Sequence, residues 1–456
     1  MAERPKVLVM SCRGADQGAM SVVRTLGRRG IRVAVLSDSE DCITQYSRYC
    51  GEFIYRPDFT HDTAATLDWL LAFAAQQDTA PVLFPTADPD LALLSRLRNK
   101  IEGPYRLFLG SQELVDVLMD KTRFMDLAIL HQFPVPATHA PETQREFFAV
   151  SESVRYPVVL KPSNPAAWTH REIQYAVQHQ KALIVESAEQ LRAYYGVIAP
   201  WNDDLLVQEY IVGPDENHYS AHVYINAEGE PQACFTGRKV RVHPAFAGSG
   251  CYVQSVHVPE MVEASLQMLR AIRYTGVAVL NFKQDSRNGK FLLHEINPRI
   301  SQWNILATKS GVDVPWFAYA EAAGITVPAA LTQREGLQYL DLRNDLKSWR
   351  QYRRVGQWGV LSYVKSLVRA RSVHQLFAVD DLRPFANCLS GTVRGLIGKL
   401  FGKSTAEASE PFFCELEAAN TASPSNEYVA PRPVREAIDT PENPGNSVDP
   451  IKRMES

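Results

Sequence analysis

The sequence predicts a protein of mixed α/β and α+β class, and three observations support this. Strand and helix patterns alternate over the first hundred residues. Residues 154–300 then mix strands and helices and end in a hairpin with polar side chains on one face. From about Ala329 the chain becomes helical, basic and aromatic, and beyond Ser404 it is polar and rich in proline. The expected units are 1–115, a parallel-sheet domain; 116–325, an α+β domain; 326–403, a helical basic extension; and 404–456, a disordered tail. That tail lacks the apolar density needed to offset the entropy of ordering.

In the first unit, residues 6–10 read as a buried strand, 18–29 as a helix and 32–36 as a second strand. An amphipathic helix over 63–77, a strand at 82–84 and a helix over 90–99 follow. This βαβ order implies a small parallel sheet with helices on its faces. A new unit opens near Ser111, and Pro134 and Pro136 end a helix over 124–131. Residues 158–160, 205–208, 222–225 and 233–235 are the strands expected next.

Composition narrows the function classes. The chain has 456 residues, 45% hydrophobic and 22% charged, as in an ordinary globular protein of two or three domains. A formal charge of −3 gives no global attraction to nucleic acid. Seven scattered cysteines without a CxxC pair suit neither a disulfide framework nor a zinc site. The apolar run at the N-terminus is too short for a signal peptide and no segment reaches spanning length, so a reducing cytoplasm is expected.

The segment GVAVLNFKQDSRNGKFLLHEINPR, residues 276–299, carries the most chemistry. It reads as two strands around an Asn-Gly turn. Alternation puts Glu295 and Asn297 on one face, and a turn near Asn288 sets Asn281 opposite Glu295. Pro298 stops the ladder and Arg299 follows at its mouth. Hard oxygen donors beside an arginine suit Mg²⁺ that arrives with nucleotide phosphates.

HEINPR at the end of such a hairpin is similar to the metal-binding signature of ATP-grasp enzymes, which join a carboxylate to an amine or related nucleophile through an acyl phosphate. The resemblance covers about 115–325 well, and 1–115 more loosely as the family's preceding α/β domain. It implies a two-lobed fold and, with ATP and Mg²⁺ as cofactors, a role for each matching residue. Lys121 and Lys161 match the phosphate lysines. Gln208, Glu209, Tyr210 and Ile211 match the hinge that meets adenine, and Glu216, past the Gly213 turn, matches the ribose acid. Arg238, Lys239 and Arg241, followed by a flexible Gly248-Ser249-Gly250 stretch, match the segment that meets the triphosphate and the acyl phosphate. Strand alternation aims Arg238 and either neighbour to opposite sides. Glu295, Asn297 and Asn281 match the metal ligands, and Arg299 the residue that holds the substrate carboxylate. Relatives usually carry an acid where this chain has Asn281, so a weaker first metal site and a fold that binds nucleotide without turnover both stay open. The loop after Lys161 sits where the family covers the phosphates, but is poor in glycine.

Within the family, the order GRKVR, NFKQD, HEINPR, NILATKSGVDVPW looks most like the carboxylate–amine ligase branch that includes D-aspartate ligase-like proteins. That branch implies small carboxylate and amine substrates of amino-acid type, and leaves a homodimer open. A biotin-dependent carboxylase component is the runner-up, set back by the missing glycine-rich lid. Other readings compete. Gly14 and Gly18 lack the middle glycine of a dinucleotide fingerprint, although Arg13 at that edge could pair with an anionic substrate group. A non-catalytic nucleotide sensor or scaffold is the alternative to an enzyme. Cys251 has no paired base and reads as structural. Residues 389–403 resemble an interfacial amphipathic helix, so peripheral contact with the inner face of the membrane competes with packing on the chain's own domain.

Overall fold

The computed structural model describes residues 4–12, 16–163, 168, 170–177, 182–246, 248–368 and 371–390. Its first sheet is parallel throughout and comprises Val7–Ser11 (β1), Val33–Ser37 (β2), Glu52–Tyr55 (β3), Val82–Phe84 (β4) and Arg106–Leu107 (β5), in the order β3-β2-β1-β4-β5. β1 and β2 are buried along their whole length, which is why they read as unbroken apolar runs. The order reverses between β1 and β4, so the crevice beyond Cys12 and Thr86 is the natural ligand edge of this sheet.

The second sheet is antiparallel, built from Thr138–His139 (β6), Val158–Pro162 (β7), Leu183–Val185 (β8) and Leu205–Glu209 (β9) in the order β6-β9-β7-β8. The third has seven strands: His218–Ile225 (β10), Pro231–His243 (β11), Ser249–Ser255 (β12), Gly276–Gln284 (β13), Phe291–Asn297 (β14), Leu337–Leu340 (β15) and Arg371–His374 (β16). Their order is β14-β13-β10-β11-β12-β15-β16. These elements make the mixed α/β and α+β architecture expected of the chain.

One apolar core joins the first and third sheets. Val7 and Val9 of β1 and Val22 of the helix Asp16–Gly27 share it with Trp303, Leu306, Phe317 and, from the large sheet, Phe235. The other face of the large sheet buries Leu280, Leu293 and Ile296 against Met261 and Leu269 of the helix Pro259–Ala271. Gly276 is required where this sheet meets the first unit. It sits at φ +97°, and a Cβ there would lie 2.3 Å from the Phe108 carbonyl oxygen.

The structure departs from the sequence reading in two places. β11 is far longer than the expected 233–235, and Ser249 and Gly250 belong to strand β12 rather than to a flexible stretch. The alternation read at Arg238, Lys239 and Arg241 belongs to this same strand, and ladders on both edges of β11 carry it through its polar residues. The extension after 326 contains the helices Leu342–Arg354 and Val360–Val368, and also lends β15 and β16 to the large sheet. Arg13, the tail 404–456, most of the 389–403 segment and part of the loop after Lys161 lie outside the described residues. Among the described residues no helix is long and apolar enough to cross a membrane.

Candidate active site

The site grows from the register of the large sheet. Asn281 on β13 pairs with Glu295 on β14, as the hairpin reading expected. Cross-strand neighbours share a face, so Ser220 of β10 and Gly237 of β11 continue that row. Two residues along each strand, His218, Lys239 and Lys283 stand on the same face. A β-bulge between Asn281 and Phe282 leaves His294 as the extra residue beside Glu295. The floor of the cleft is therefore one acid, two carboxamides, two lysines and two imidazoles.

Glu295 is the centre of this floor. Its Oε1 accepts the Asn281 amide at 2.8 Å and the Asn297 amide at 2.9 Å. Asn281 Oδ1 in turn accepts Ser220 Oγ at 2.5 Å. Burial alone would push the Glu295 carboxyl up, but the two amide donors, with Lys121 and Lys239, outweigh it and hold it down at about 2. The group is ionised at every physiological pH.

The roof comes from the four-stranded sheet. Lys161 on β7 donates to Gln208 Oε1 at 2.9 Å, and Gln208 is held from behind by Thr138 Oγ1 at 2.7 Å. Burial and the neighbouring Lys121 charge lower the Lys161 ammonium to about 8, against a pull upward from Glu295. Lys121 opens the helix Lys121–Leu130 and donates to the Pro162 carbonyl at 3.3 Å. The charges of Lys121 and Lys239 thus reach Glu295, and those of Lys121 and Glu295 reach Lys161.

Sequence reading missed Lys283 and His294. Burial lowers Lys283 to about 8, and its Nζ lies 4.8 Å from the centre of the Tyr210 ring. Its position two residues after Asn281 was a legible signal, since i and i+2 share a strand face. His294 has no such signal, because only the bulge turns it toward the cleft. Burial, and then the charges of Lys161 and Lys283, depress its imidazole to about 3, so it is neutral, and its Nε2 is buried with no hydrogen-bond partner among the described residues.

Several expected residues are held by partners within the chain. Arg241 does not enter the cleft. It is fully buried, paired through Nε and Nη2 with Asp345 at 2.7 and 2.9 Å, and enclosed by Tyr252, Trp358 and Tyr363. Register shifts on both sides of it turn the strand, so its side chain meets the extension. Arg238 pairs with Tyr219, in register with Phe282, and so leaves on the face opposite Lys239. The Glu209 carboxylate is turned to Arg287 in the β13–β14 turn, at 2.6 Å, so only the backbone of the Glu209–Ile211 stretch remains for an adenine edge. Glu216 accepts Trp358 Nε1 at 3.2 Å. Arg299 sits at the cleft mouth but is held by Asp88 through Nε and Nη2, at 2.5 and 3.1 Å. Cys251 is buried with its Sγ 3.3 Å from the Arg241 carbonyl, and burial pushes its thiol well up, as a structural cysteine requires.

Glu295, Asn281 and Asn297 offer one ionised carboxylate and two carboxamides. Among the described residues, no group of three or more His, Cys, Asp or Glu could hold an ion alone. Such a set suits Mg²⁺ that brings its own phosphate and water oxygens.

Residues 120–330 match the family model for the carbamoyl-phosphate synthase L chain, ATP binding domain. The chain is 27% identical to the D-aspartate ligase of Enterococcus faecium over 248 residues, which is 52% of this chain and 57% of that protein. It is 23% identical over 328 residues to the carbamoyl phosphate synthase large chain of Methanothermobacter thermautotrophicus, 68% of this chain and 29% of that one. The chain thus spans little more than half of the first relative and under a third of the second. Biotin carboxylase from Campylobacter jejuni, solved with β-γ-ATP, superposes with a TM-score of 0.56 at 16% identity over 73% of this chain and 74% of its own. N5-carboxyaminoimidazole synthetase from Staphylococcus aureus gives 0.53 at 15% identity over 72% and 80%. At such identities the two structures establish the fold alone. With its cleft between the four- and seven-stranded sheets and its HEINPR hairpin, the chain is similar to the ATP-grasp superfamily and, within it, to the carboxylate–amine ligase branch.

Proposed function

We propose that the protein is an ATP- and Mg²⁺-dependent ligase that activates a small carboxylate as an acyl phosphate and joins it to an amine. The observation that carries this reading is the convergence of Lys121, Lys161 and Lys239 on ionised Glu295 in one cleft. Fixed cations of that kind neutralise a triphosphate and the charge that spreads over a transferring phosphoryl group.

In the proposed sequence, a substrate carboxylate oxygen attacks the γ-phosphorus and ADP leaves with the cleaved oxygen. The amine nitrogen then attacks the acyl carbon, phosphate departs, and the amine gives up a proton to solvent. Lys161, braced by Gln208 and Thr138, and Lys121 hold the phosphates from the roof. Lys239 holds them from the floor, and Lys283 and neutral His294 extend the donor set there. Glu295, Asn281 and Asn297 would hold Mg²⁺, which when bound shields phosphate charge. Arg299 exchanges Asp88 for the incoming carboxylate, so the ion pair at the mouth keeps the guanidinium oriented until substrate arrives. Positioning and charge neutralisation carry such a transfer without a protein nucleophile.

The test is release of ADP and phosphate from ATP and Mg²⁺ by the full-length protein, screened against pairs of small acids and amines. One pair should give both products in equal amounts. Glu295→Ala should lower that rate by about a thousandfold, the scale of losing a central electrostatic group. ATP binding without ADP release across all pairs would overturn the ligase reading in favour of a sensor.

A further inference from the structure

Among the described residues, the extension after residue 326 meets the expected ribose acid. Glu216 lies in the short turn Asp215–Asn217 that leads into β10, and its hydrogen-bond partner among the described residues is the Trp358 indole at 3.2 Å. Trp358 is itself tightly held. Its backbone adopts φ +50°, a left-handed conformation unusual for a bulky residue. Its carbonyl accepts Trp349 Nε1 at 2.8 Å, and its ring covers the buried Arg241 guanidinium at 4.4 Å. The same helix fixes the neighbouring residue, since Tyr352 donates to Asp215 Oδ2 at 2.5 Å and that oxygen also accepts the Phe246 amide at 2.8 Å.

A glutamate has three rotatable bonds, and holding it ready for a ligand costs side-chain entropy. An indole N–H is a donor only, so it fixes a carboxylate oxygen without competing for the ligand's hydroxyl protons. From this geometry we infer that Trp358 is a positioning residue for ribose recognition, orienting Glu216 so that its carboxylate accepts the ribose hydroxyls. This rests on the ATP reading above and adds to it a nucleotide-specificity role for the C-terminal extension. Arg241 and Asp345 then serve the site indirectly, by fixing the plane of the Trp358 ring.

The test compares binding of Mg-ATP and Mg-2′,3′-dideoxy-ATP to the full-length protein by calorimetry. The wild type should prefer ATP, and Glu216→Gln should remove most of that preference. Trp358→Phe keeps an aromatic ring near Arg241 and removes the N–H donor. It should weaken ATP binding by about tenfold, as for one charge-assisted hydrogen bond, and leave the dideoxy nucleotide unchanged. Equal loss for both nucleotides, or an intact preference, would overturn the assignment. If Trp358→Phe does not fold, Trp349→Phe, which frees the Trp358 carbonyl, should reduce the same preference, and an intact preference there is equally fatal. A wild type that binds neither nucleotide would instead sink the ATP reading itself.

Discussion

Arg241 and Arg299 each grip an aspartate with two guanidinium nitrogens, but the surroundings of the two pairs are opposite. The Arg241–Asp345 side chains are 0% exposed on both sides, whereas Arg299 is 19% and Asp88 62% exposed. The first pair is closed by three aromatic rings and joins the extension to the large sheet. The second spans from the N-terminal unit to the end of the HEINPR hairpin, at the cleft mouth. An arginine read from this sequence is thus ambiguous by type. Burial decides whether its partner is permanent or replaceable, because a sealed charge has no water to return to.

Breaking the sealed pair should have the largest effect on stability. Asp345→Ala leaves the Arg241 charge buried and unpaired, and should cost about 3–5 kcal/mol in urea unfolding. Replacing both partners together by apolar residues of similar volume should recover most of that loss. A single-mutant cost near zero would show that water reaches Arg241.

The roof and floor lysines give an intermediate effect that depends on pH. Lys161 and Lys283 are lowered to about 8 by burial, from an unfolded value of about 10.4. Between those values the unfolded chain holds more protons than the folded one, so stability should rise with pH across that window. ATP affinity should move the other way and fall as pH climbs through about 8, because the ammonium charges are lost. Lys161→Arg, which cannot deprotonate there, should flatten the fall. A profile identical to that of the wild type would remove Lys161 from the phosphate site.

The open pair should respond least in stability. Asp88→Asn should change unfolding by less than about 1 kcal/mol, as is usual for an exposed partner. Its signature should be kinetic instead, a severalfold change in KM for the carboxylate substrate with kcat nearly unaltered. A stability loss matching that of Asp345→Ala would erase the contrast between the two pairs. The smallest change concerns Asn281, whose carboxamide faces Glu295 without a charge of its own. Asn281→Glu should lower the Mg²⁺ concentration needed for half-maximal turnover, and an unchanged titration would count against Asn281 as a ligand.

Local pattern alone determined much of this protein. Apolar runs and helical periodicity located β1, β2, β4 and the helices between them. Strand alternation with an Asn-Gly turn put Asn281 and Glu295 on the two arms of one hairpin, and the bulge after Asn281 set the register in which they face each other. Tertiary structure decided what depends on distant contacts and irregular backbone. The bulges that bury Arg241 and turn His294 inward add a residue that no periodic reading registers. Asp88, Arg287, Asp345 and Trp358 lie far in sequence from Arg299, Glu209, Arg241 and Glu216. Each pairing follows from packing between elements distant in sequence, and a one-dimensional pattern contains no term for it.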